Sequence, residues 1–125
     1  MTKQAKVYRQ GDVWIYAITH TEYLRGGRLS SISLSDPKKG LILAEGEVTG
    51  HHHRIPAATR VNLRPSRVGD GTVRFLEVNR RGGGTPVDLV HEEHETIKLP
   101  PGHYEVRIQR EYAPAERKQQ SYVRD

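Results

Sequence analysis

Leu41-Ile42-Leu43-Ala44-Glu45-Gly46-Glu47-Val48-Thr49-Gly50-His51-His52-His53-Arg54-Ile55-Pro56 reads as strand, kink and strand. The first five residues are a compact, mainly apolar run of strand length. Gly46 allows a kink or bulge, and Pro56 ends the second piece or leaves it at an edge, because proline cannot donate to a sheet ladder. If the second piece is extended, its side chains alternate with a period of two. Glu47, Thr49, His51, His53 and Ile55 then share one face, and His52 and Arg54 point the other way. Two histidines on one face of a strand are a chemical feature as well as a structural one.

The rest of the chain has the same β character. Val7 to Asp12 leads into Val13-Trp14-Ile15-Tyr16-Ala17-Ile18, a run rich in β-branched and aromatic residues. Both of its faces are apolar, which predicts a central strand covered on both sides, with Trp14 in the core as Phe75 is. His20 to Lys39 reads as a long connection with Gly26-Gly27, a serine-rich patch, an Asp36-Pro37 turn and a short edge strand at Ile32 and Leu34. His20 is expected to be a solvated loop histidine. Thr59 to Leu63 and Thr72 to Val78 are further strands. Pro86 to Leu99 reads as a hairpin with a three-residue loop, which pairs His91 with Glu95, Leu89 with Ile97 and Val87 with Leu99. A two-residue loop would set Leu89 against Thr96 and put two glutamates where positive φ is wanted. Pro100-Pro101-Gly102 turns into His103 to Gln109, in which Tyr104, Val106 and Ile108 face one way and His103 faces outward as an ordinary surface residue.

These strands predict an all-β fold, a small β-barrel or β-sandwich, in one domain over residues 1–112 with a polar tail at 113–125. The 125 residues suit a single modest core, and 12 glycines and 7 prolines suffice to punctuate many short strands. No apolar run approaches the roughly 20 residues of a membrane span, so no membrane partner is expected. The N-terminus is polar and lacks the apolar segment of a signal peptide. The absence of cysteine excludes disulfides and thiolate metal sites and fits a cytoplasmic protein. The formal charge of +5 fits either a plain basic surface or a polyanionic partner such as RNA or DNA.

His51 and His53, about 6.6 Å apart along a strand, can reach a common ion at about 2.1 Å from each nitrogen. Forty residues on, His91-Glu92-Glu93-His94-Glu95 supplies a second group. The expectation is that strand pairing joins the two groups into one metal site. His51, His53, His91 and His94 would be ligands, with a carboxylate from Glu47 or Glu95, for a divalent ion such as Zn, Fe, Ni or Mn. The same residues allow a metal-free reading. Two histidines serve as general acid and base, and Arg54, Arg107 or Arg110 contacts phosphate in an RNA- or DNA-binding protein or ribonuclease. A third reading is a non-enzymatic assembly module, phage-associated or homo-oligomeric, that uses the basic surface and the tail.

Two resemblances bear on this. Gly50-His51-His52-His53, then short strands, then Leu99-Pro100-Pro101-Gly102-His103, resembles a degenerate cupin pattern. It implies a small barrel with a divalent metal inside and His51 and His53 as ligands. Where cupins carry a glutamate after the histidine pair, this chain reads Ile55-Pro56-Ala57-Ala58. Ala44 to His53, His91-Glu92-Glu93-His94 and Gln109-Arg110-Glu111-Tyr112 are together similar to short uncharacterised bacterial and phage proteins, a likeness that implies a grouping and no activity.

Overall fold

In the computed structural model, residues 6–27, 35–36, 38–45, 51–69, 72–81 and 83–109 are described. Glu47, Arg110, the edge strand expected at Ile32 and Leu34, and the tail 113–125 lie outside them. The described chain runs β1 (Val7–Gln10), β2 (Val13–Ile18), α1 (His20–Gly26), β3 (Ser35–Asp36), β4 (Gly40–Glu45) and β5 (His52–Ile55). After a 3-10 turn (Ala58–Arg60) come β6 (Val61–Pro65), β7 (Val73–Val78), β8 (Val87–Leu89), β9 (Ile97–Leu99) and β10 (Gly102–Ile108). The protein is therefore mostly β. Its strands form a five-stranded sheet in the order β1-β2-β10-β7-β6, a three-stranded sheet β3-β4-β5 and a two-stranded sheet β8-β9. All pairs are antiparallel, and no sheet among the described residues closes on itself.

β1 and β2 are joined by the two-residue turn Gly11-Asp12, which pairs Gln10 with Val13. Gly11 has φ 58°, the positive value that tight hairpin turns require and glycine adopts without strain. Alternation then sends Val13 and Ile15 inward. With Leu41, Leu43, Leu76 and Leu89 they belong to one buried cluster drawn from all three sheets. Each such side chain contributes about 1.5–3 kcal/mol by leaving water.

β2 has a strand on each side, as expected of an interior strand, but only one of its faces carries buried side chains, Val13 and Ile15. Trp14 is not in the core. It lies on the outer face, half-buried, and its Nε1 donates to Gln109 Oε1 at 2.7 Å. Phe75 is buried beneath the end of α1, so close that a Cβ on Gly26 would sit 2.2 Å from the ring.

α1 lies within the segment expected to be a connection. Thr19 caps it by accepting from the Glu22 N–H at 3.1 Å, while the Glu22 carboxylate accepts from the Thr19 N–H at 2.8 Å. This is the reciprocal pair of a Thr-x-x-Glu capping box. The helix has only seven residues, too few to show a helical period. His20 sits on its first turn rather than in a loop.

β4 bulges at Leu43, since Ile42 pairs with Arg54 and Ala44 with His53. The Leu43 carbonyl accepts from the Arg74 guanidinium, which ties the three-stranded sheet to β7. The β8–β9 register is the expected one, Val87 with Leu99 and Leu89 with Ile97. The loop is longer than expected. Val90 leaves the hairpin to bridge Arg54, so His91 does not pair with Glu95.

Two expected outcomes rest on this packing. Gly40 has φ +86°, and a Cβ there would lie 2.2 Å from the Ile55 carbonyl oxygen. Gly40→Ala should therefore cost about 2 kcal/mol or more in urea unfolding. Gly69→Ala, at φ +98° but with open space around it, should cost only the backbone strain, about 1 kcal/mol. Tyr104 donates its hydroxyl to the Pro100 carbonyl, and burial, with a smaller contribution from Tyr8, pushes its ionisation up to about 12. An absorbance titration should show one of the six tyrosines ionising near that value. The stability carried by its neutral form should be intact below about 10 and lost as the pH rises through about 12.

Candidate metal centre

The Arg54–Val90 bridge assembles the site. The Arg54 N–H donates to the Val90 carbonyl at 3.0 Å, and the Val90 N–H donates back at 2.8 Å. Carried along the chain, this antiparallel register sets His53 opposite His91, His52 opposite Glu92 and His51 opposite Glu93. The contacts follow it. The His53 and His91 ring centroids are 4.2 Å apart, the His52 N–H donates to Glu92 Oε1 at 3.0 Å, and His51 Nδ1 is 3.7 Å from Glu93 Oε1.

His91 is the hub. Its ring lies 5.6 Å from that of His51 and 4.6 Å from that of His94, and His53 and His94 are 5.9 Å apart in near-parallel planes. The four histidines expected to meet are thus in one cluster. His53 and His91 are buried, and His51 and His94 are half-buried. His51, His91 and Glu92 each offer a ligand atom within 4.8 Å of the others, a group that can hold a metal ion. Glu92 is a suitable anionic member. The His52 backbone N–H, above all, holds its carboxyl below the usual carboxylate range, and His51 and His91 act in the same direction. The buried Nε2 of His94 has no hydrogen-bond partner among the described residues, and buried polar atoms are rarely left so.

Gln10 orients the cluster. It is 2% exposed, and its Nε2 donates to the carbonyls of Leu89 at 3.0 Å and Glu95 at 2.9 Å. That leaves Oε1 to accept from His53 Nδ1 at 2.9 Å. The His53 proton is thereby held on Nδ1, and the lone pair is on Nε2, the form a metal ligand needs. His91 has the opposite tautomer, since its Nδ1 accepts the Glu93 N–H at 3.0 Å. Ligation through His91 Nε2 would move the ring proton to Nδ1 and release that amide.

The carboxylate grouped with the histidines is Glu92, which was not among the expected ligands. Glu95 contributes its backbone carbonyl, and its side chain is exposed. His52 is buried at 8% exposure. Arg54 serves through its backbone, while its guanidinium donates to the Lys39 carbonyl at 3.2 Å. Arg107 lies on the outer face of the five-stranded sheet, its Nε donating to Glu105 Oε2. His103, the second-motif histidine of the cupin pattern, is also on that outer face. Its Nε2 is 3.1 Å from Glu77 Oε2 and 3.1 Å from His20 Nδ1.

Gln10 and Glu92 were the residues missed. Gln10 carried one signal: it precedes Gly11-Asp12, and a two-residue turn there places it on the inward face with Val13.

The molecule is thus a mostly β domain with a partly buried histidine cluster where β5 meets the loop after β8. The chain belongs to a family defined as a domain of unknown function, DUF8820, matched over residues 9–109. No curated protein and no solved structure matches it. Among the described residues, no helix is long and apolar enough to cross a membrane.

The bonds of Gln10 can be tested directly. Gln10→Leu should strand two carbonyls and free the His53 ring, destabilising the domain by about 2–3 kcal/mol. Imidazole nitrogen NMR should show His53 protonated at Nδ1 in the wild type and a mixture of tautomers in the variant.

Proposed function

We propose that the domain binds a divalent metal ion at His51, His91 and Glu92, with His53 and His94 as the neighbouring imidazoles that complete or exchange into the set. The observation that carries this reading is the convergence of four imidazoles and a carboxylate from segments forty residues apart. An all-nitrogen and oxygen donor set suits Zn, Fe, Ni or Mn and has no thiolate to favour softer ions. The bond from Gln10 to the far nitrogen of His53 is the type that accompanies ligating histidines. A bound ion would act as a Lewis acid toward a carbonyl or phosphoryl oxygen, or would acidify a bound water. The site lies in a small β-domain read as a cytoplasmic protein, with its core shared among open sheets in the manner of a sandwich.

Elemental analysis and calorimetric titration with Zn²⁺ of tag-free protein test the reading. The wild type should take up one ion per chain. At free metal about 100 times the dissociation constant, its stability should rise by about 2.7 kcal/mol. The double variant His51→Ala, His91→Ala should lose both effects, whereas His103→Ala should keep them. Equal uptake by wild type and double variant would overturn the assignment.

A further inference from the structure

The outer face of the five-stranded sheet carries a second set of chemistry, on the opposite side from the histidine cluster. Register places Arg9 opposite Trp14, Trp14 opposite Arg107 and Arg107 opposite Val73, one line of side chains across four strands. The next line holds Tyr16, Glu105 and Phe75. The Trp14 and Tyr16 rings are 6.3 Å apart and 14° from parallel, and both are part-exposed. The Arg9 guanidinium lies over the indole, 4.6 Å from its centroid. Beside this pair, between the end of α1 and strands β7 and β10, is a groove of about 440 Å³ with Val73 and Phe75 in its wall and Arg25, Arg67 and Arg107 around it.

Arg9 and Arg107 thus flank the two aromatic rings and Arg25 and Arg67 the groove beside them, with Glu105, paired with Arg107, as the carboxylate among them. Guanidiniums attract phosphate, and part-exposed aromatic rings stack on unpaired bases. An acidic peptide would be drawn to the arginines but would gain little from the near-parallel rings. A duplex would present phosphates but keep its bases out of reach. We infer that this face binds single-stranded nucleic acid, with bases on Trp14 and Tyr16 and phosphates on Arg9, Arg107 and the arginines of the groove. No residue of the metal centre takes part, so either surface can fail its test without the other.

Trp14 is the sole tryptophan, so its emission reports stacking directly. The full chain is titrated with twelve-nucleotide oligo-U and oligo-dT. Saturable quenching is expected, with a log–log salt slope of roughly −0.7 per phosphate neutralised. Arg9→Ala with Arg107→Ala, both exposed positions, should weaken binding and flatten the slope by roughly 0.7 for each phosphate no longer neutralised. Tyr16→Leu should weaken binding on the order of tenfold with the slope unchanged. Thermal melts by circular dichroism establish that the variants are folded. Absence of quenching, wild-type binding in the arginine variant, or equal affinity for heparin, poly-glutamate or duplex DNA would each overturn the inference.

Discussion

The side-chain amide of Gln10 ties β1 to the two segments that the Arg54–Val90 bridge brings together. It donates to the carbonyls of Leu89 and Glu95, on either side of residues 90–94, and accepts from His53 on β5. Each bond is modest in water. In a site 2% exposed the alternative is an unpaired buried group, which makes the arrangement hard to leave. The amide also settles the chemistry of the cluster, because its two donor bonds leave only the oxygen to face the imidazole. Ring orientation and lone-pair direction at His53 therefore depend on one side chain, which also pins the loop set by the Arg54–Val90 bridge.

The parts of the fold that rest on alternation were legible in the sequence. The inward set Tyr104, Val106 and Ile108 and the apolar pairs of β8 with β9 follow from period-two patterning, and both are as expected. The meeting of His51 and His53 with His91 and His94 was expected from chemistry, and the register of Arg54 with Val90 supplies its geometry. That bridge joins two different sheets, and no local pattern encodes it. α1 was hidden for another reason. Its capping box is visible in Thr19 and Glu22, but seven residues cannot display an amphipathic period. Trp14 was misplaced because an apolar run was taken to mean burial on both faces. An indole with its N–H bonded to Gln109 and a guanidinium over it sits comfortably half in water.

The two faces of the five-stranded sheet divide the chemistry by solvent. The inner face holds aliphatic side chains and, at one end, Gln10, which reaches the imidazole cluster. The outer face holds arginines, where charge is readily kept ionised and its range is set by salt. A sheet can do both at once because adjacent residues of one strand belong to opposite faces. Arg9 and Gln10 are such neighbours, one over Trp14 and the other against His53.

That adjacency makes the length of the Gly11-Asp12 turn part of both surfaces. One residue more in it would slide β1 against β2 by a single step and exchange the two sides of the strand. A guanidinium would then be driven among the imidazoles, and a carboxamide would be left facing water. An insertion at this hairpin tip would therefore disturb both faces of the sheet at once, through Arg9 over Trp14 on one and Gln10 against His53 on the other.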